Sequence, residues 1–393
     1  MKILFLTATL NWVGASISVL NLLKGLRRRG VDCFVVTSSD YCIDKKMTDA
    51  FEKIGVQWTS IHFYWDTSNP KTITGIKSLA YAALHPFRMQ KAKKARQEAK
   101  RARNTAKEKL EEIIRDYHPD IVHTTVGEIG IGYEVCQKLG VKHVWHLREY
   151  QDKDFGWHIY PTKEKFCERL RKSDAVITIT DGIRSYFNLA DCPHAVTIYN
   201  GIYNHDDVCL DFPKEKYFLS ASRIVEAKGI MDVVKAFSLF HQSYPDYKLL
   251  LAGMGDEAYI NAIKASAEYL SCSDNIEFLG HRSDVGSLMQ KATALMVGSY
   301  NEGFGRMTAE AMFRGCIAIG RNTAGTKEII NQTDGFLFDN VEEMADEMKR
   351  VADMTQEEYR KVATHAQALA ANLFSNENYV QSVMKVYQKV LGA

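Results

Sequence analysis

The stretch 301–312 reads NEGFGRMTAEAM and sets two carboxylates, Glu302 and Glu310, eight positions apart around a Gly-Phe-Gly turn. A carboxylate pair that cleaves a glycosidic bond must face across that bond at about 5 to 10 Å. On one helix, eight residues would separate the two by about 12 Å along the axis and about 80° around it. Gly303 and Gly305 break such a helix, so Glu302 is predicted to end a loop and Glu310 to lie inside the helix that follows. Their spacing assigns two roles rather than one shared catalytic role.

Other candidate groups stand where strand patterns give way to helical ones. In SASRIVEAKGIMDVVKAF, Arg223 comes just after a predicted strand and Lys228 just before a predicted helix. Two cations at a helix N-terminus, with its free N–H groups, make a cradle for a diphosphate. A pair of solvated loop cations explains the spacing equally well. LLLAGMGDEAYINAI repeats the strand-turn-helix theme with Gly253 and Gly255, and EFLGHRSDVGSLM puts His281 and Arg282 just past a strand. After the first strand, Gly14 and Ala15 open a helix. The G-x-G-x-x-G fingerprint and its acidic partner are missing there, which argues against an NAD oxidoreductase. A D-x-D at Asp152 and Asp154 is expected to be a solvated, Lys-containing loop rather than a metal site.

These groups require a scaffold of alternating strands and helices. In the first half, strands are predicted at KILFLT, DCFVVTS, QWTSIHF, DIVHTT, KHVWHL, AVITIT and AVTIYN. In the second they fall at KYFLSAS, YKLLLAG, IEFLG, ALMVGS, CIAIG and GFLF. The polar stretch NGIYNHDDVCLDFPKEK separates the two sets and predicts domains at 1–203 and 204–375. From Val341 onward the pattern is helical, with Ser375 as N-cap of a final helix over 376–393 that packs back on the N-terminal domain.

A chain of 393 residues, 46% apolar and 25% charged, has a soluble globular composition long enough for two domains. Its formal net charge is +2, which gives no reason to expect nucleic acid. The eight cysteines are scattered without metal-ligand spacing, as in a reducing, cytoplasmic setting. The opening MKILFLTATLNWVGAS imitates a signal peptide but is predicted to be a buried first strand, and no run is long enough to span a membrane. The segment 88–109 is unusual: ten basic and two acidic residues give it a local excess of +8, leaving −6 for the rest. Alanines at 92, 95, 99, 102 and 106, then Leu110, Ile113 and Ile114, recur at helical spacing. Two readings stand: a solvated face of a long helix, or attachment to an anionic membrane surface, with FYW at 63–65 and SLAYAALHPF upstream.

In the order SRIVEAKG, LLLAGMGDE, NIEFLG, NEGFGRMTAEAMFRG, NTAGTKEIIN and DGFLF, the second half resembles the retaining glycosyltransferases of family 4. The resemblance implies an α/β GT-B fold: two Rossmann-like, doubly wound domains facing a cleft, the N-terminal one serving the acceptor and the C-terminal one a nucleotide sugar. It implies that Arg223 and Lys228 hold the donor diphosphate, that Glu310 takes the ribose hydroxyls, and that Glu302 stands beside the transferred sugar. Gly303, Phe304 and Gly305 would line sugar and pyrophosphate, with Gly253 and His281 in the same donor site. Gly14 and Ala15 match a turn near the donor phosphates where the family more often has two glycines. His146, near the end of KHVWHL, falls where the family often has a histidine near the reacting carbon, and Arg148 and Glu149 would bind acceptor or pair with each other.

The implied reaction is metal-independent and needs no cofactor, the donor being a UDP or GDP sugar and the acceptor a saccharide or lipid-linked molecule. Same-face displacement is expected, with the departing phosphate helping to deprotonate the acceptor. Bacterial surface polysaccharide synthesis at the inner face of the cell membrane would suit these features. A nucleotide-sugar 2-epimerase and a non-catalytic sugar-binding protein are the competing expectations.

Overall fold

The computed structural model describes residues 1–63, 67–68, 86–156, 158–159, 161–210 and 213–392. The chain forms two compact units, residues 1–198 with 380–393, and residues 199–379. All thirteen predicted strands form, seven in one parallel sheet and six in another. Both are α/β, doubly wound sheets.

In the first unit the strands are β1 (Lys2–Thr7), β2 (Asp32–Ser38), β3 (Gln57–Ile61), β4 (Ile121–Thr124), β5 (Lys142–Leu147), β6 (Ala175–Thr178) and β7 (Ala195–Thr197). Their order is β3-β2-β1-β4-β5-β6-β7, with Phe5 paired to Val35 on one side and to His123 on the other. The central strands are near-continuous apolar runs because helices cover both faces. Ile3, Leu4, Phe5 and Leu6 are all fully buried, which makes the opening segment a core strand. A two-residue antiparallel pair, Thr67–Ser68 with His158–Ile159, lies outside this sheet.

The basic segment lies in the helix Pro86–Tyr117. Its apolar stripe is buried from Ala106 onward, where Leu110 and Ile114 pack with Ile131, Val135 and Cys136, whereas Ala99 is exposed. Part of the charge is neutralised: Arg103 and Lys107 reach Glu134 at 2.7 and 3.3 Å, and Arg169 joins at 3.4 Å. Lys100 and Arg101 remain exposed. Residues 64–66 and 78–85, the apolar stretches read upstream, lie outside the described residues.

The final helix, Asn376–Leu391, begins at Ser375, whose Oγ accepts the Asn378 N–H at 3.3 Å. From Val380 it belongs to the first unit, where Val380 packs against Gly25 and Tyr387 is fully buried. The aspartates of the D-x-D depart from expectation. They lie in a short helix, Asp152–Phe155, where the Tyr186 hydroxyl donates to Asp152 and the Tyr150 N–H to Asp154. They are structural acceptors rather than solvated loop residues.

The second unit holds β8 (Glu215–Ala221), β9 (Lys248–Ala252), β10 (Ile276–Gly280), β11 (Ala292–Val297), β12 (Ile317–Arg321) and β13 (Phe336–Phe338), in the order β10-β9-β8-β11-β12-β13. One face of this sheet packs against the helices Ile230–His241 and Val341–Ala352 through Phe237, Phe240, Met344 and Met348. Eight free cysteines are present, six of them buried. Among the described residues no helix is long and apolar enough to cross a membrane.

Candidate functional site

Each sheet reverses its strand order beside its first strand, between β1 and β4 in one unit and between β8 and β11 in the other. Loops leaving two such strands diverge, and a crevice opens at the strand C-terminal ends. The chemistry-bearing residues gather at these two places.

In the second unit, Arg223 follows β8 on an exposed loop and has no ion-pair partner among the described residues. A β-carbon on Gly253 would lie 1.8 Å from the Ser222 carbonyl oxygen, so only glycine lets the turn after β9 press against this loop. Ile224 N–H donates to the Met254 carbonyl at 2.8 Å across the same contact. Gly253 thus supports Arg223 from below. His281 is exposed just beyond Gly280, whose carbonyl accepts the Gly253 N–H at 2.8 Å.

Lys228 ends the tight turn Glu226–Lys228, and Gly229 (φ +61°) leads into the helix Ile230–His241. A β-carbon on Gly229 would meet the Gly298 carbonyl oxygen at 2.1 Å, so this turn lies directly against the end of β11. Tyr300 N–H donates to the Ala227 carbonyl at 3.1 Å and completes the contact. The result is Lys228 Nζ 2.5 Å from Glu302 Oε1, the two side chains 20% and 21% exposed. Sequence reading put Lys228 and Glu302 in one site but did not pair them.

Gly305 (φ +89°) starts the helix Arg306–Phe313 without a side-chain cap, which leaves its first N–H groups for water or a ligand. Beside it, the buried hydroxyls of Thr308 and Thr326 have no hydrogen-bond partner among the described residues. Phe304 is buried, and the Glu302 carbonyl accepts the Gly325 N–H at 2.9 Å. Glu310 lies inside the helix, as predicted, and takes Arg306 Nε at 2.6 Å. Burial and the Glu310 charge together push the Tyr203 hydroxyl up. The two glutamates therefore have separate cations, Lys228 and Arg306.

Sequence reading missed a brace behind them. Arg321 Nη2 reaches Asp232 Oδ2 at 2.6 Å and its Nε donates to the Gly298 carbonyl at 2.9 Å, while the Tyr300 hydroxyl donates to Asp232 at 2.9 Å. This network holds 298–300, the exit from β11 that delivers Glu302. Asp232 in a first helical turn suits the helix dipole on its own, so nothing local marked it.

In the first unit, His146 lies inside β5 and is fully buried. His123 Nε2 stands 3.2 Å and Arg148 Nη2 3.5 Å from His146 Nδ1, and the Tyr387 hydroxyl is 2.5 Å from His123 Nδ1. A guanidinium can only donate, so Nδ1 of His146 is an acceptor and its proton sits on Nε2. His123 then donates from Nε2 and accepts the Tyr387 O–H. Burial and the Arg148 charge, joined by His143 for His123 and by His123 for His146, hold both imidazoles well below the usual histidine range, so both are neutral. The Arg148 guanidinium sets this tautomer, and the Tyr387 hydroxyl of the final helix closes the chain.

At the β1/β4 crevice a pocket of about 340 Å³ is lined by Thr7, Asn11, Ala15, Glu128, Arg148 and Glu149 among others. Gly14 begins the helix Gly14–Arg28 at its edge, with no side-chain cap. Arg148 is buried and its Nε donates to the Thr125 carbonyl at 3.1 Å. Burial drives the Glu128 carboxyl up to about 7, and burial with the Glu128 charge drives Glu149 well above the carboxylate range. Glu128 escaped sequence reading, although a lone acid in the apolar, glycine-rich run TTVGEIGIGY was its signal.

Two family profiles match in succession: Glycosyltransferase Family 4 over residues 12–204 and Glycosyl transferases group 1 over 206–368. The chain is similar to poly(glycerol-phosphate) alpha-glucosyltransferase of Bacillus subtilis, 26% identical over 247 residues, which is 59% of this chain and 35% of that one. It is similar to N-acetyl-alpha-D-glucosaminyl L-malate synthase of Bacillus anthracis, 29% identical over 180 residues, 45% of this chain and 46% of that one. These alignments span between a third and a half of those relatives' length. The fold matches Anabaena Alr3699/HepE in complex with UDP, at TM-score 0.75 and 18% identity, over 99% of this chain and 100% of that one; the same protein is also solved with UDP-glucose.

Proposed function

The chain belongs to glycosyltransferase family 4, and from that premise we propose that it moves a sugar from a nucleotide-diphosphate sugar, with retention and without a metal, to a saccharide or lipid-linked acceptor. The observation that carries this is the Lys228–Glu302 contact at a helix N-terminus, with the exposed Arg223 on the loop that leaves β8 and leads to Lys228. A cation poised there takes the leaving diphosphate, and a carboxylate within reach of the same point takes sugar hydroxyls.

The roles follow. Arg223, Lys228 and the helix N-termini stabilise the departing phosphate, whose charge peaks in the transition state. Glu302 orients the moving sugar, Glu310 anchors the ribose, and Gly303, Phe304 and Gly305 line the bound donor. His146, fixed with its proton on Nε2, acts as a neutral hydrogen-bond donor rather than a base. With no carboxylate placed as a nucleophile, the departing phosphate itself receives the acceptor proton in a same-face displacement. UDP is favoured as the nucleotide because the Anabaena protein of like fold is solved with UDP and UDP-glucose. Exposed Lys100 and Arg101 support contact with an anionic membrane face, in keeping with a lipid-linked acceptor in surface polysaccharide synthesis.

The test is incubation with a set of UDP- and GDP-sugars in EDTA, with nucleotide release and the anomeric configuration of the product followed by NMR. The expected result is consumption of one donor with the configuration retained. Inversion, strict metal dependence, or isomerisation of the donor without any acceptor would each overturn it, the last in favour of an epimerase.

A further inference from the structure

The pocket between the ends of β1 and β4 has an acidic floor. Glu128 and Glu149 both line it, Glu128 only 4% exposed. One oxygen of each, Glu128 Oε1 and Glu149 Oε2, has no hydrogen-bond partner among the described residues. Buried carboxyl oxygens are ordinarily paired, since an unpaired one keeps its whole desolvation penalty. Two of them in one pocket mark a place prepared for a hydrogen-bond donor.

Neighbouring contacts keep the floor rigid. Trp145 Nε1 donates to the Val126 carbonyl at 2.9 Å, Thr125 N–H to the Leu6 carbonyl at 3.0 Å, and Arg148 Nε to the Thr125 carbonyl at 3.1 Å. The charged groups facing the two acids are Arg148 and Asp154. With Glu128 raised to about 7, and Glu149 raised well above the carboxylate range by burial and by Glu128, the pair keeps a proton near neutrality. It can then both donate and accept. The walls, by contrast, are apolar through Ala8, Val13, Val19 and Val126.

A polyhydroxylated ring fits this division, its hydroxyl edge on the acids and its C–H face on the valines. An anionic group does not, because it would face the partly ionised Glu128 carboxyl while the one guanidinium, Arg148, is already engaged by the Thr125 carbonyl. Resting on the glycosyltransferase reading, we propose that this pocket seats the terminal sugar of the acceptor, with Glu128 and Glu149 binding its hydroxyls. The acceptor end is then a sugar, not a phosphate or a bare lipid.

Saturation-transfer NMR on the whole chain with the methyl glycosides of glucose, galactose, mannose and N-acetylglucosamine tests this, with UDP titrated into the same samples. At least one glycoside is expected to bind. Glu128→Gln should weaken it about ten-fold or more, because a hydroxyl-binding group is lost, while UDP affinity changes by less than about two-fold. Glu149→Gln, at the other acid, serves if Glu128→Gln does not fold. Failure of every glycoside to bind the wild-type chain, or unchanged glycoside binding in the folded variant, overturns the proposal. Absence of UDP binding to the wild-type chain instead refutes the donor assignment, whatever the glycosides do.

Discussion

Glu302→Gln separates holding the nucleotide from moving the sugar. Lys228 Nζ and Glu302 Oε1 stand 2.5 Å apart with about four-fifths of each side chain covered. A diphosphate that takes Lys228 must break this contact and approach the Glu302 charge. Unit charges at about 4 Å in an effective dielectric near 20 attract by about 4 kcal/mol gross. Resolvation of the parted pair offsets most of that, leaving about 1 to 2 kcal/mol that UDP must overcome. Glutamine keeps the shape and one carbonyl acceptor but removes the charge. UDP should therefore bind the variant about ten-fold more tightly, at about 1.4 kcal/mol per factor of ten. Turnover of a UDP-sugar should move the opposite way, falling about a hundred-fold, because a charged contact that strengthens as the sugar becomes cationic is worth about 2.7 kcal/mol. Calorimetric titration with UDP at low salt and initial rates of UDP release measure the two halves. If UDP affinity is unchanged or weaker in Glu302→Gln, Lys228 is not the cation that receives the diphosphate.

Four further outcomes are expected. Gly229→Ala puts a β-carbon 2.1 Å from the Gly298 carbonyl oxygen at a positive φ, so urea unfolding should show a loss of about 2 kcal/mol or more; wild-type stability would mean that the turn shifts freely. Glu310→Ala should weaken UDP about ten-fold but leave inorganic pyrophosphate unaffected in calorimetry, since only the ribose contact is lost. Glu128 is raised in the fold from 4.5 to about 7, so its contribution to stability is full below pH 4.5 and is lost as pH rises through about 7. Glu128→Gln does not titrate there and should gain about 3 kcal/mol on the wild type between pH 4.5 and 8, read from urea midpoints. Replacing exposed Lys100 and Arg101 by alanine should lower binding to anionic vesicles, whereas Lys107→Ala, already paired with Glu134, should change it little.

The thirteen sheet strands were legible because each is a short β-rich run ended by turn residues, and burial on both faces makes such runs nearly continuous in apolar side chains. Strand edges moved by one to three residues, as with DIVHTT, which shortens to Ile121–Thr124 once the loop toward Glu128 takes Thr125. The assignment of Glu302 to a loop and Glu310 to a helix was also local, since two glycines forbid a single helix. Pairing was not local. Lys228 meets Glu302 across 74 positions because β8 and β11 are neighbours and two small residues, Gly229 and Gly298, let their exits touch.

The same distinction holds for His146 and Glu128. Residue type and strand position marked His146 as a candidate, but its charge state and tautomer depend on burial, on Arg148 and on His123 from β4, which in turn meets Tyr387, 264 positions from it, in the last helix. A lone acid in an apolar, glycine-rich run could have marked Glu128, but its retained proton became visible only when burial was known, because desolvation is a property of the packed surroundings. The sequence by itself determined the two doubly wound sheets, the family and the residue types at the strand ends, all of which follow from local pattern and spacing. Tertiary structure alone decided which cation faces which carboxylate and which acids keep their protons, because Coulomb attraction and desolvation depend on distance through space and on what fills it.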